Sequence, residues 1–298
     1  MKKIIIFLLM LFVINLYGFG EIKAVTTYRW IADIVQWIGG DAVSVKALAK
    51  GDRNPHFITP RPSFIAKLRQ ADLLIINGGQ LEIGWLPPVV QQANNPDIQP
   101  GKKGLLSLLD YIKPIDIPQN VSRTHGDVHP EGNPHFHLDP YNIPIIAKAV
   151  MEKLCLLSPA HQEKFRQNYE TFISRWKEKT VEWDRVFNRF RGVKIIEYHK
   201  LYDYLLHRYH IESAGALEPL PGIPPTSKHI AGIIELVKKQ EIRFIFQDVY
   251  NNSKTAKYVA QKTGAKVVVI PHDVGAVKEA VDIFALFDEI ARRLAADD

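Results

Sequence analysis

The chain has 298 residues, of which 46% are hydrophobic, and its formal net charge is +6. This size allows two ordinary folded lobes, and the single cysteine, Cys155, excludes an intramolecular disulfide, so stability has to come from packed cores. No block of Lys and Arg with interleaved aromatic residues is present, and the charge is smaller still without Lys2 and Lys3, so nucleic acid is not expected as a partner. Cys155 lies in an apolar helical context, where we expect a buried, inert thiol.

The first twenty residues predict an export signal. Lys2 and Lys3 precede an apolar run over 4–16, and small residues around Gly18 and Gly20 offer a cleavage site of the secretory type. The run is too short to span a bilayer comfortably, and no cysteine follows it that could carry a lipid anchor. A membrane anchor or a buried strand is the alternative. We expect a signal peptide over 1–20 and a periplasmic or secreted protein that is soluble after cleavage.

Beyond the signal, short β-rich runs alternate with longer amphipathic ones. The runs that predict strands are 22–27, 43–48, 73–77, 193–198, 244–248 and 267–270. A strand followed by a helix, repeated several times, is typical of parallel α/β sheets. The expected fold class is α/β, with an N-terminal lobe over 21–157 and a C-terminal lobe over 192–298.

One unusually long helix is predicted between the lobes, over 158–191. Ser158 supplies an N-cap and Pro159 a first-turn proline, and aromatic residues recur at spacings of three, four or seven: Phe165, Tyr169, Phe172, Trp176, Trp183, Phe187 and Phe190. Such a helix runs roughly 50 Å at 1.5 Å per residue. Its many charges exclude a membrane span, and its aromatic residues exceed what a coiled-coil seam accepts. We expect it to pack against both lobes.

Histidines carry the strongest functional signal. Two copies of Asn-Pro-His end at His56 and His135, and a third histidine, His199, follows a predicted strand. Imidazoles that converge from distant segments suit a borderline-soft divalent metal ion, and the preceding proline stiffens each approach. These three residues and Asp273 all lie past the carboxyl ends of strands, where open α/β sheets form their binding crevice. The sequence predicts metal capture in the cleft between the lobes, although any single histidine could be an ordinary hydrogen-bonded residue.

Several motifs resemble those of a known family, the periplasmic zinc- and manganese-binding proteins that feed ABC importers (metal-binding cluster A-I family). The similar segments are Asn54-Pro55-His56 with Pro60-Arg61-Pro62-Ser63, then Ala71-Asp72-Leu73 with Asn77-Gly78, Leu81-Glu82 and Trp85-Leu86, then Asn133 to Pro140, and finally Tyr198-His199 with Tyr202 and Tyr204. The resemblance implies two lobes joined by a rigid helix, a metal ion between them, and a membrane permease as partner. It also implies that His56, His135 and His199 match the family's three histidine ligands.

The resemblance and the ligand chemistry both favour Zn²⁺ over Mn²⁺. Manganese-selective members commonly have a glutamate where His199 stands, and manganese prefers more oxygen donors than three imidazoles leave room for. A manganese-binding importer component stays as the alternative within the family.

The fourth ligand is open. The family often has an Asp-Pro pair after the last strand, whereas this chain has Pro271-His272-Asp273. Asp273 is our prediction because a carboxylate balances part of the ion's charge and completes a tetrahedron, with His272 or a water molecule as the other options.

Further histidines lie close to the predicted site. His137 stands where the family usually has an aromatic residue, and in an extended segment its side chain would point the same way as that of His135. It is predicted to be a polar substitute for that aromatic residue. The alternatives are that it binds the metal ion itself or that it hydrogen-bonds to a residue that does. The loop with His125 and His129 is either a weak accessory metal site or a solvated lid.

Proteins of another class can also use such residues. A zinc-dependent periplasmic hydrolase would need a general base, for which Glu197 and Asp248 are the suggestive acids, but no His-Glu-x-x-His segment, nucleophile elbow or paired cysteine motif is present. An adhesin with a structural zinc ion is a third possibility. The protein is therefore expected to be no enzyme but a monomeric solute-binding protein that captures Zn²⁺. Because imidazoles coordinate only when neutral, binding should weaken as the pH falls through about 6.5.

Overall fold

The computed structural model describes residues 21–119, 129–220 and 222–297. The predicted signal peptide and His125 therefore lie outside the described residues. In the described part of the chain no helix is both long enough and apolar enough to cross a membrane.

The N-terminal lobe is built on four parallel strands in the order β2-β1-β3-β4. They are β1 (Ile22–Thr26), β2 (Val43–Ala47), β3 (Leu73–Ile76) and β4 (Leu105–Ser107). The helices α1 (Arg29–Gly39), α2 (Pro62–Arg69) and α3 (Leu86–Ala93) follow the first three strands. Strand β3 reads Leu-Leu-Ile-Ile because both of its faces are covered, as in parallel sheets generally.

The predicted linking helix is present and lies behind the lobes. After α4 (Ile143–Leu157), single 3-10 turns at Pro159–His161 and Asn188–Phe190 flank α5 (Gln162–Phe187). The 26 residues of α5 span about 39 Å at 1.5 Å per residue. The prediction that the Ser158 side chain caps this helix is wrong. The Ser158 hydroxyl lies 2.8 Å from His161 Nδ1 and forms no bond to a backbone N–H of the helix.

The C-terminal lobe repeats the first sheet. Its parallel strands β5 (Lys194–Glu197), β6 (Glu212–Ala216), β7 (Phe244–Gln247) and β8 (Lys266–Val269) pair in the order β6-β5-β7-β8. Helices α6 (Asp203–Tyr209), α7 (Ser227–Lys239) and α8 (Lys254–Thr263) connect them, and α9 (Ile283–Asp297) follows the last strand. The predicted α/β class with two parallel-sheet lobes is confirmed. The six predicted strands are confirmed too, whereas β4 and β6 were missed.

Aromatic residues of α5 join the cores of the two lobes. Phe172 packs on Trp37 of α1 with ring centroids 6.0 Å apart, and Phe187 packs on Tyr209 of α6 at 5.0 Å. Six of the seven predicted aromatic residues are buried in one cluster, and Tyr169 is partly buried against it. The expectation that this stripe packs against both lobes is confirmed. Where each lobe begins and ends along the chain stays a prediction.

Cys155 is only partly buried, which corrects the expected full burial. Its Sγ lies 3.6 Å from the sulfur of Met151, and the partial burial raises the pKa of the thiol above its ordinary value. A raised pKa keeps the thiol protonated and therefore weakly nucleophilic.

Candidate metal centre

Three histidines meet between the lobes. His56 and His135 come from the N-terminal lobe and His199 from the C-terminal lobe, and each offers a ring nitrogen within 4.8 Å of the others. His56 Nε2 and His135 Nε2 are 3.3 Å apart. Two nitrogens bound to one tetrahedral Zn²⁺ at about 2.0–2.1 Å are themselves about 3.3–3.4 Å apart. This pair therefore has the spacing of two ligands of a single zinc ion.

The two Asn-Pro-His segments are built as the same turn. The Asn54 side chain accepts a hydrogen bond from the His56 backbone N–H at 3.0 Å, and the Asn133 side chain does the same for His135 at 2.9 Å. An asparagine that bonds two residues ahead fixes the turn, and the intervening proline removes backbone freedom. The repeated tripeptide thus aims each imidazole.

Each turn is fastened to the lobe through its proline carbonyl. Pro55 O accepts hydrogen bonds from the Tyr28 hydroxyl at 3.0 Å and from the Trp85 indole at 3.2 Å. Pro134 O accepts one from the Asn77 amide at 2.9 Å. Because these donors follow β1 and β3, the strand ends hold both histidines at one edge of the sheet.

His199 reaches the site from the other lobe, two residues after β5. Its Nδ1 lies 2.7 Å from Glu218 Oε2, and both side chains are mostly buried. With Nδ1–H donating to the carboxylate, Nε2 carries the lone pair that a metal needs. Sequence reasoning missed Glu218, which follows β6, a strand that was itself missed.

Burial keeps the imidazoles of His56 and His135 neutral. It lowers the pKa of His56 and of His135 well below 6.5, and the neighbouring histidines lower both further. A buried cationic imidazole has few partners here, so the neutral form prevails. Neutral imidazole is the form that binds metal ions.

The structure does not bring Asp273 into the group of nitrogens within 4.8 Å. Its Oδ1 accepts backbone N–H bonds from Trp30 and Val274, both at 2.7 Å, and its Oδ2 accepts one from Arg29 at 3.3 Å. The carboxylate therefore satisfies the free N–H groups at the start of α1. Burial raises its pKa to about 7. Its role as a metal ligand stays a prediction.

His137 does not belong to the group of three histidines. It lies in a 3-10 turn, Phe136–Leu138, so the expectation that it points the same way as His135 is wrong, because that required an extended segment. Its ring stacks on Trp30 with centroids 4.8 Å apart, and its Nε2 donates to the carbonyl oxygen of His272 at 2.7 Å. The stacking confirms the interpretation as a substitute for an aromatic residue.

His272, the other option for the fourth ligand, is held in the interface between the lobes. Its Nε2 donates to the Arg53 carbonyl at 3.2 Å, and its ring meets Tyr250 edge to face at 4.9 Å. Burial lowers the pKa of His272 to about 3. It stays neutral and its Nε2 is used, whereas its buried Nδ1 has no hydrogen-bond partner among the described residues.

His129 stands beside the three histidines. Its ring lies 5.1 Å from that of His56, and burial lowers its pKa to about 4. Within the described ranges its Nε2 has no hydrogen-bond partner. Together with His135 and His199 it lines a cavity of about 210 Å³. Nothing here decides between the two alternatives given above for its loop, an accessory metal site and a solvated lid.

Glu197 and Asp248, the two acids considered above as general bases of a hydrolase, stabilise loops. Glu197 accepts hydrogen bonds from the Ser213 hydroxyl at 2.6 Å and from the Tyr202 N–H at 3.3 Å. Asp248 accepts two backbone N–H bonds within its own turn, from Tyr250 at 3.0 Å and Asn251 at 2.6 Å. Both carboxylates thus have structural roles.

Two parallel-sheet lobes joined by a long helix, with histidines from both lobes facing one another, define a bilobed α/β protein with a candidate metal site between its lobes. The particular family follows from a family model that matches residues 24–296. The chain belongs to that family, which is described as the zinc-uptake complex component A, periplasmic. Membership confirms the predicted resemblance and separates the chain from the hydrolases weighed above.

Curated relatives carry similar descriptions. The zinc-binding protein AdcA of Streptococcus pyogenes serotype M3 is 24% identical over 259 residues, which cover 84% of this chain and 50% of AdcA. The metal ABC transporter substrate-binding lipoprotein ScbA of Streptococcus cristatus is 24% identical over 255 residues, with 84% and 79% covered. The chain therefore spans about half the length of AdcA and most of ScbA.

Solved structures share the fold. A crystal structure of ZnuA matches with a TM-score of 0.78 at 20% identity, covering 93% of this chain and 99% of that one. A manganese-bound periplasmic metal-binding protein from Candidatus Liberibacter asiaticus matches with a TM-score of 0.76 at 20% identity, covering 92% and 98%.

Proposed function

We propose that this protein captures a divalent transition metal ion, preferentially Zn²⁺, outside the cytoplasm and delivers it to the membrane permease of an ABC importer. The observation that carries the proposal is the meeting of three buried imidazoles from both lobes, two of them already 3.3 Å apart. Three nitrogen donors favour zinc over manganese. The description of the family and the name of AdcA support the same cargo.

We propose His56, His135 and His199 as the protein ligands, with Asp273 as the fourth. The long 3.3 Å contact to Asp273 Oδ2 leaves that oxygen the capacity to bind an ion. A divalent cation would also favour the ionised form of a carboxyl whose pKa burial has raised to about 7. A water molecule or His272 in that position remains the alternative.

The proposal extends to the state of the mature protein. Cleavage after a signal peptide over 1–20 and a soluble mature form follow from the sequence patterns described above, and action as a monomer is part of the same proposal. The periplasmic description of the family supports a location outside the cytoplasm.

Metal titration of the purified, metal-free protein tests the function. A competing chromophoric chelator measures the affinity for Zn²⁺ and for Mn²⁺ at pH 7.5, and elemental analysis gives the stoichiometry. We expect one Zn²⁺ per chain, bound more tightly than Mn²⁺. His207→Ala, at an exposed histidine of α6, serves as a control that removes one imidazole outside the group of proposed ligands. A preference for Mn²⁺, or zinc binding that survives loss of all three ligand histidines, contradicts the proposal.

A further inference from the structure

Asn133 uses both ends of its side chain, and each end serves a different lobe. Its Oδ1 accepts the N–H of His135, as described above, at 2.9 Å. Its Nδ2 donates to the carbonyl of Lys200 at 3.0 Å and to Asp203 Oδ2 at 2.8 Å. Since Lys200 directly follows His199, one buried amide connects the backbone of one proposed ligand to the backbone beside another.

The main chain of Asn133 is held at the same place. Its carbonyl accepts the Tyr204 hydroxyl at 3.0 Å, and its N–H donates to Ile115 O at 2.9 Å. The Tyr204 oxygen also accepts the N–H of Ile115 at 3.3 Å. The turn that carries His135 is therefore docked on the first two residues of α6.

Asn54, in the other Asn-Pro-His segment, lacks this second task among the described residues. Its Oδ1 accepts from His56 at 3.0 Å and its carbonyl accepts from the Phe57 N–H at 3.2 Å, so its recorded bonds stay within its own turn. The side chain is half-buried. The two asparagines thus share the turn-forming role, whereas only the amide of Asn133 is bonded across the cleft.

We propose that Asn133 is an interlobe latch, a positioning residue that fixes the distance between His135 and His199 and so sets how tightly the site holds its metal ion. This inference rests on the metal-binding function proposed above. The latch acts because metal–ligand distances tolerate little error, whereas the two ligands it connects belong to different sheets. Without the amide, the lobes keep their remaining contacts, but the turn that carries His135 loses its hydrogen bonds to Lys200 and Asp203 beside His199.

Asn133→Asp removes the latch and keeps the turn. An aspartate oxygen still accepts the His135 N–H, but the donor is replaced by an oxygen that faces Asp203 and the Lys200 carbonyl. Asn54→Asp is the matched control: it makes the same chemical change, two residues before another proposed ligand, and introduces the same negative charge near the metal. The difference between the two variants therefore isolates the interlobe bonds from the effect of added charge.

The double variant Asn133→Asp with Asp203→Asn restores the bond between these two side chains with its polarity reversed, whereas the bond to the Lys200 carbonyl stays lost. The amide now stands at 203 and the carboxylate at 133, and the net charge equals that of the unaltered chain. Recovery of zinc affinity without a matching change in the apo melting temperature separates positioning of the ligands from a purely structural role. Asp203→Asn alone completes the double-mutant cycle.

Zinc affinity and the visible spectrum of the Co²⁺-loaded protein are the readouts, with apo melting temperature as the check on folding. We expect Asn133→Asp to bind Zn²⁺ at least tenfold more weakly than Asn54→Asp, and the double variant to recover part of that loss. The intense visible bands of four-coordinate Co²⁺ should fade in Asn133→Asp and return in the double variant.

Equal affinities of Asn133→Asp and Asn54→Asp within twofold, or no recovery in the double variant, overturn the latch. If Asn133→Asp fails to fold, Asp203→Ala decides, because it removes the carboxylate that accepts from the Asn133 amide and leaves the turn of His135 unchanged. We expect it to weaken Zn²⁺ binding about threefold, and unchanged affinity overturns the inference. If the unaltered protein binds no Zn²⁺, the proposed function fails instead, so the two failures are distinguishable.

Discussion

Glu218 should control zinc affinity through His199 without touching the metal ion. Its Oε2 lies 2.7 Å from His199 Nδ1, and the two side chains are only 12% and 7% exposed. A hydrogen bond to a charged group contributes roughly 1.5–3 kcal/mol, and loss of such a partner of a metal-binding histidine typically weakens affinity by about 10–100-fold. We therefore expect Glu218→Ala to weaken Zn²⁺ binding by about 10–100-fold.

The assay is competitive titration against a chromophoric chelator at pH 7.5. Glu218→Gln provides the graded comparison, because its amide oxygen still accepts from Nδ1–H but carries no charge, so an intermediate affinity is expected. The reasoning also requires that Glu218→Ala has little further effect in a His199→Ala background, since the carboxylate acts only through that ring. Full affinity in Glu218→Ala, or equal losses with and without His199, would refute it.

Three further predictions concern ligands, pH and shape. Replacing His56, His135 or His199 by Ala should each weaken Zn²⁺ binding at least tenfold, about 1.4 kcal/mol or more, and unchanged affinity in titration excludes that residue as a ligand. Because burial lowers the pKa of His56 and His135 well below 6.5, zinc affinity should hold from pH 7.5 through 6.5 and fall only at the lower pH at which these two imidazoles gain a proton. This range lies below the one expected from unperturbed imidazoles, and a tenfold loss above pH 6.5 argues against it. Since α5 packs against both lobes and limits their separation, X-ray scattering profiles of the apo and zinc-bound forms should nearly superimpose, and a large compaction on binding speaks against a rigid link.

The apo protein should also lose stability in acid through its buried neutral histidines. Burial lowers the pKa of His137 to about 4, whereas the unfolded chain takes up a proton near 6.5. The unfolded state therefore binds more protons between these values, and the free energy of unfolding falls as the pH drops, by about 3 kcal/mol for this residue near its folded pKa. His137→Phe keeps a ring against Trp30 and should reduce that slope in urea unfolding at pH 7 and 4.5. An unchanged slope means that His137 is protonated in the folded state.

The strands that sequence predicts best are the ones buried on both faces. Strand β3, Leu73–Ile76, and strand β7, Phe244–Gln247, are short apolar runs that read clearly. Strand β6, Glu212–Ala216, contains Ser, Gly and Ala and lies at the sheet edge, so its residues show little β preference. Strand β4, Leu105–Ser107, has only three residues. Pairing with neighbouring strands makes them strands, and that pairing is not visible locally.

The residues of the candidate site also differ in whether the sequence alone could predict them. His56, His135 and His199 could be predicted because motif and strand order place them at facing crevices. Glu218 could not, since its contact with His199 depends on where the unrecognised β6 ends. Asp273 was recognised as a candidate, but its bonds to the start of α1 depend on how the two lobes dock, which local sequence does not encode.

Anomalous scattering at the zinc edge from crystals of the zinc-loaded protein tests the central claim most directly. One peak per chain is expected, about 2.0–2.1 Å from a ring nitrogen of each of His56, His135 and His199. The same map decides whether Asp273, His272 or a water molecule completes the shell. A peak that lies away from these rings, or zinc held by ligands from one lobe alone, contradicts the account.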